Sequence, residues 1–257
     1  MSIATGLLLV SVAMLAAVGG LVLVQRLVPH SVRKEHNDVA GFIYAVLGVA
    51  YAVLLGLVLV AVWGQWDAAN AVATDEAGEL AEVFWTAHSL PQPQGRHLQG
   101  LARSYARVVV DEEWPSMQQG RASPEAWDLL DEMRGTIQGL HPTTDAQQAL
   151  QGQALERIHG VASARRERLL DAGEGLPAIL WVVLIVGGVI VVGFTYLFGL
   201  QNTATHVLMV AALAMIISLT LLTVAALDYP FRGDVRIQPA AFEQALSRFE
   251  SSKLSDR

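Results

Sequence analysis

The chain has 257 residues, 53% of them hydrophobic and only 16% charged, with a mean hydropathy of +0.41, a composition that belongs to membrane proteins rather than soluble globular ones. Its net charge of −7 leaves no basic stripe to displace counterions from phosphates, which excludes nucleic acid as a partner. The absence of cysteine excludes disulfides, thiolate metal sites and cysteine nucleophiles.

Residues 1–27 form the first predicted span. The apolar run 3–24 has no Lys or Arg before it, and it is too long for a secretory signal and lacks a small-residue cleavage pattern, so it is expected to be retained. Arg26 closes it. A basic loop follows over 28–38, with Arg33, Lys34, His36 and Asp38; Asn37 or Asp38 is the expected N-cap of the next helix.

The second predicted span, 39–66, holds no acidic or basic side chain for longer than the roughly 20 apolar residues that a bilayer core requires. Gly41, Ala45, Gly48, Ala52 and Gly56 recur at helical spacing, leaving one face nearly bare. Trp63 and Trp66 sit where an interfacial aromatic belt belongs. Beyond them the periodicity continues to about Leu90, now acidic, through Asp67, Asp75, Glu79 and Glu82; Pro91 and Pro93 end the helix.

Residues 67–174 read as a helical extramembrane domain whose first helix is continuous with the second span. Leu98, Leu101, Tyr105 and Val108 form an apolar seam, and Trp114-Pro115 is expected to break that helix. Ser123-Pro124-Glu125 marks the next start, and Thr144-Asp145-Ala146-Gln147 fits a capping box. Leu155, Ile158, Ala162, Arg165 and Leu169 share one face of the helix that follows. The third span covers 175–200, with Gly187, Gly188 and Gly193 permitting close packing, and the fourth covers 206–227. The C-terminal segment, 228–257, opens on a turn in which Asp228 is expected to pair with Arg232 and Gly233 to take positive φ; a short amphipathic helix and a disordered tail after Ser251 are expected beyond it. The predicted fold is an all-α integral membrane protein of four transmembrane helices, multi-pass in the cell membrane.

Orientation follows from the basic flanks. The first span has no basic residue before it and three after it, which places the 28–38 loop in the cytoplasm and the helical domain with both termini outside. Arg165, Arg166, Arg168, Arg232 and Arg236, on the domain side, count the other way.

Several stretches together resemble a known family. The segment 33–41 (Arg33-Lys34-Glu35-His36-Asn37-Asp38-Val39-Ala40-Gly41), then Trp66-Asp67, then 227–233 (Leu227-Asp228-Tyr229-Pro230-Phe231-Arg232-Gly233) are similar to the bestrophin-like membrane proteins, mainly bacterial and of unestablished function. The layout is also similar to that of true bestrophins, which implies an oligomeric anion channel with a cytosolic helical domain between the second and third spans. Neither the calcium clasp nor the pore-neck residues of bestrophins match any position here.

Three groups are candidate sites, and each has a plainer alternative. The small-residue face of the second span fits a pore lining or a subunit interface; ordinary packing between helices of one chain would use the same residues. Asp67, Asp75, Glu79 and Glu82 would form acidic rings attracting cations in an oligomer, or a solvated helix surface. Arg33, Lys34, His36 and Asp38 fit lipid-phosphate or topology contacts, or a capped helix start. The seven histidines have no HxxxH or HxxE spacing, so no metal site is expected. No phosphate loop or nucleophile elbow is present, and neither an enzyme nor a cofactor is expected. No ionisable side chain lies within a span, which disfavours a proton pump or ion-driven symporter. The leading expectation is a homo-oligomeric ion channel in the lipid bilayer that passes inorganic ions, with the second span lining or flanking the pore. The alternative is a non-conducting membrane scaffold or sensor whose helical domain binds a partner.

Overall fold

The computed structural model describes residues 2–35 and 37–255, and every regular element among them is helical. In chain order these are α1 (Ile3–Leu27), α2 (His30–Glu35), α3 (Asn37–His88), α4 (Gln94–Val108), α5 (Trp114–Met117), α6 (Pro124–Gln138), α7 (Asp145–Gly173), α8 (Ala178–Phe194), α9 (Thr203–Leu227) and α10 (Ala240–Ser255). A π-helical segment, Val109–Glu113, joins α4 to α5, and a 3-10 turn, Thr195–Leu197, follows α8. Two units divide the chain: a membrane unit of residues 1–65 and 175–228, and a helical unit of 66–174 and 229–257.

In the membrane unit α1, α3, the α8 segment and α9 are each long and apolar enough to cross a bilayer, with peak hydropathies of 2.6–2.8. Small residues set the close approaches. Along the α1–α9 contact Gly6 faces Leu222, and Leu21 and Ala17 pack with Val210 and Ala214. Gly20 accommodates the ring of Tyr196, whose hydroxyl donates to the Ala17 carbonyl at 2.8 Å. Tyr51 of α3 lies over Gly187 and Gly188 of α8 and donates to Leu184 O at 2.7 Å. A Cβ on Gly187 would sit 2.7 Å from that ring, so the glycine is required there. Gly193, by contrast, has nothing within 4 Å of its Cβ position. Thr220 and Thr223 donate to the carbonyls one turn back, Ile216 and Leu219.

α9 begins at Thr203 because the Asn202 side chain accepts from the N–H groups of Ala204 and Thr205. His206 is buried beneath that start, between Gln25 Nε2 (3.2 Å from Nδ1) and Thr195 O (3.0 Å from Nε2). Asn37 does not cap α3. Its amide instead brackets Gly199, accepting from the N–H at 2.9 Å and donating to the carbonyl at 3.2 Å, where the α2 backbone at Lys34 comes close enough to require glycine.

In the helical unit the α3 continuation, α4, α6, α7 and α10 enclose one core, with Leu80, Phe84, Leu98, Tyr105, Leu130, Ile158, Phe242 and Phe249 all fully buried. Thr144 caps α7 by accepting from Gln147 N–H, while the Gln147 side chain reaches back to Thr143 N. Ser123 starts α6 without a side-chain cap bond. α10 runs to Ser255, past the tail boundary expected at Ser251. Trp114-Pro115 does not end the α4 helix. The chain widens into the π-helical turn, with Trp114 N–H bonding to Val109 O, and Pro115 follows as the second residue of α5.

The buried stripe of Ala102, Ala106 and Val109 continues through that turn to Glu113, while Glu112 is exposed. Glu113 then meets Arg165 and Arg168, three residues apart on one face of α7. Arg168 donates to Glu113 Oε1 at 2.7 Å and forks onto Glu76 of α3 at 2.6 and 2.9 Å. Arg165 Nε reaches Glu113 Oε1 at 3.1 Å, and its Nη2 pairs with Oε2 and with the Ser123 carbonyl at 2.8 Å. Tyr105 donates to Glu76 Oε1 at 2.6 Å. All four charged side chains have no exposure.

Burial alone would raise the Glu113 pKa, but hydrogen bonding from Arg165 and the charges of both arginines hold it below its ordinary value. Burial, and next the Glu76 carboxylate, push the Tyr105 phenol well above its usual range, so it remains a donor. Burial disfavours the charge on Arg168, yet the Glu76 and Glu113 carboxylates more than offset this and raise its pKa. Removing one member strands the others. Arg168→Ala is expected to destabilise the chain by about 3–5 kcal/mol, the usual cost of breaking a buried pair. Urea unfolding of the purified protein in detergent, with the variant compared to wild type, measures it.

Candidate functional site

The small-residue face of α3 is open. Ideal Cβ atoms on Gly41, Gly48 and Gly56 meet nothing within 4 Å, and Ala45 and Ala52 are exposed. At about 100° per residue the five positions fall within a sector of roughly 80°. The side of α3 used inside the membrane unit is a different one, carrying Tyr51, Leu55, Val58 and Val62. Next to the small residues Phe42, Val46, Val49, Val53 and Val60 are more than half exposed, so a broad apolar surface of α3 is left without a partner in this chain. No charged side chain interrupts it. The close intrachain packing that the sequence also permitted for these glycines is instead carried out by Gly6, Gly20, Gly187 and Gly188.

The acidic stripe divides. Asp67, Asp75 and Glu82 are exposed on α3. Glu79 is half-buried, and both its oxygens accept from Arg157 of α7 at 3.2 Å, beside Gly160, whose missing side chain leaves room for it. One turn from Glu79, Glu76 points into the core quartet. Its sequence signal was available: position 76 keeps step with Ala69, Ala73, Leu80 and Val83, all buried. Glu113 had a comparable signal, since it keeps step with Ala102, Ala106 and Val109, all buried.

In the basic group Arg33 is 8% exposed and donates from Nη1 to Phe198 O at 3.1 Å. Lys34 and Asp38 are exposed. His36 lies outside the described residues. Of the arginines counted on the domain side, Arg165 and Arg168 are wholly buried among carboxylates. Asp228 and Arg232 do not pair. Asp228 accepts from Leu176 N–H at 2.6 Å and Trp181 Nε1 at 3.2 Å in the membrane unit, whereas Arg232 donates to Ala172 O at 3.0 Å in the helical unit. Gly233 has φ of 78°, as its place in the exit turn requires. Phe231 is fully buried, and Trp66 Nε1 donates to Val235 O at 3.2 Å. The distinctive segments of the sequence therefore act as latches: Arg33 and Asn37 on the 198–199 loop, Asp228 on the start of the third span, Trp66 and Phe231 within the helical unit. Among the described residues no group of three His, Cys, Asp or Glu side chains is placed to hold a metal ion.

The architecture has relatives among solved structures. A variant of the bacterial bestrophin homologue from Klebsiella pneumoniae superposes with a TM-score of 0.70 at 13% identity, over 93% of this chain and 98% of that one. Another structure of the Klebsiella pneumoniae homologue gives 0.68 at 14% identity, covering 92% of this chain and 95% of the other. A structure described only as a membrane protein gives 0.68 at 13% identity, covering 93% and 96%. At such identities the likeness establishes the fold. No curated protein matches the sequence. The model of the Bestrophin-like domain family matches residues 11–242, and this chain belongs to that family.

Proposed function

We propose that the protein is one subunit of a homo-oligomeric ion channel, with the small-residue face of α3 lining or flanking the pore. The observation that carries this reading is the open, uncharged surface around Gly41, Ala45, Gly48, Ala52 and Gly56. Small residues at this spacing let helices approach closely, and a chain that leaves them uncovered has a packing surface to offer to further copies of itself. Small apolar walls also suit a pore that gates by dewetting. Membership of the bestrophin-like family supports the same reading. Purified protein in planar bilayers is expected to pass current. Ala52→Phe, on the exposed face, should lower unitary conductance several-fold while leaving thermal stability unchanged. Absence of current from wild-type protein shown to be inserted would favour the scaffold or sensor reading instead.

We further propose that Asp67, Asp75 and Glu82, the stripe carboxylates left exposed, concentrate cations near the conduction path, with Glu79 largely neutralised by Arg157. This bears on selectivity, because the likeness to true bestrophins implies anions while the stripe favours cations. Neutralising Asp67, Asp75 and Glu82 together to Asn, Asn and Gln should move the reversal potential under a salt gradient toward anion preference. Glu79→Gln alone should move it much less. An unchanged potential in the triple variant would assign these carboxylates to a solvated helix surface.

A further inference from the structure

A second feature of the membrane unit points to a ligand, independently of conduction. Where α1 gives way to α2 and α8 to α9, the unit carries a cleft of about 590 Å³. Gln25, Arg26, His30, Arg33, Gln201 and Thr203 supply its polar lining, and Val22 and Leu200 an apolar wall. Among the described side chains no carboxylate lines it.

Arg33 is the informative residue. It is more than nine-tenths buried, its one hydrogen bond to a described residue goes to the Phe198 carbonyl, and its Nε has no partner among the described residues. His30 Nε2 is likewise buried without a partner among them. The buried arginines of the helical unit set the comparison: Arg165 and Arg168 each lie against a carboxylate. A guanidinium held out of water needs an opposite charge or a full set of hydrogen bonds, and among the described residues Arg33 has neither. The N-terminus of α9, at Thr203, opens on the same cleft; its Ala204 and Thr205 N–H groups are taken by the Asn202 side chain, so it adds the field of the helix dipole rather than free donors.

We propose that this cleft binds a phosphate group, with Arg33 and Arg26 as its charge partners. Two guanidinium groups match the paired oxygens of a phosphate better than they match a spherical anion. Two sources offer that chemistry: the headgroup of an anionic phospholipid, whose acyl chains would leave along Val22 and Leu200, and free phosphate from solution.

The test uses the full chain. Wild type, Arg26→Gln and Arg33→Gln are released from detergent in a native mass spectrometer after incubation with phosphatidylglycerol or phosphatidylcholine. Each is also melted with and without inorganic phosphate. Wild type should retain phosphatidylglycerol at least about tenfold better than either variant, the scale of one charge-assisted bond lost. Retention of the anionic lipid with no effect of inorganic phosphate identifies a headgroup site. Stabilisation of wild type alone by inorganic phosphate, without lipid selectivity, identifies a free-phosphate site. Arg26 is exposed, so Arg26→Gln decides the matter even if Arg33→Gln fails to fold. Equal lipid retention by wild type and Arg26→Gln, with no stabilisation by phosphate, overturns the proposal.

Discussion

The helical unit depends on a dry, charge-balanced contact: Arg165 and Arg168 of α7 against Glu76 of α3 and Glu113 of the π turn. Two positive and two negative groups without solvent contact are tolerable because the charges are paired and Tyr105, Ser123 and Met117 complete most of the shell, although Arg165 Nη1 has no hydrogen-bond partner among the described residues. Trp127 and Trp114 cover the guanidinium faces at 4.3 and 5.0 Å. A contact this demanding admits one register. Sliding α7 by a turn would bury an unpaired charge. The net stabilisation over a hydrophobic core of similar volume is small, but the cost of any alternative arrangement is large.

In the membrane unit the organising constraint is different. Lipid offers no hydrogen bonds, so each span satisfies its own backbone and helix association rests on close packing. Tyr51 over Gly187 and Gly188 shows how this works: a large ring fits against two positions without side chains, and its hydroxyl finds the Leu184 carbonyl. The unit meets its own needs with those glycines and leaves Gly41, Gly48 and Gly56 unused. That leftover face is what gives the oligomeric reading its physical basis.

Much of this was legible beforehand. Long uncharged apolar runs mark membrane helices because no soluble core calls for so many in succession, and the acidic continuation of α3 beyond Trp66 kept helical periodicity. The seam of Leu98, Leu101, Tyr105 and Val108 was visible for the same reason. What escaped was set by distant partners. Asn37 was one of two residues, with Asp38, expected as a cap, but its amide instead bonds Gly199, far along the chain. Asp228 was expected to bind its sequence neighbour Arg232, yet the orphan N–H of Leu176 lies within reach. Glu76 was legible in principle, as a carboxylate on the buried stripe of α3, but its partner Arg168 was not among the residues read onto the apolar face of α7. Glu113 was legible in the same way, as a carboxylate in step with Ala102, Ala106 and Val109, whereas the π turn beside it carries no sequence mark. Helical spacing alone could not say whether the small residues of α3 were covered; that depended on where α8 and α9 packed.

The central claim is that the bare face of α3 meets another copy of the chain. Because the protein contains no cysteine, a single Ala52→Cys substitution reports this directly by oxidative cross-linking in membranes. Leu208→Cys, on the exposed side of α9, serves as the control. The account predicts a reducible covalent dimer for Ala52→Cys and little or none for Leu208→Cys. Monomeric Ala52→Cys under conditions that cross-link Leu208→Cys would contradict it.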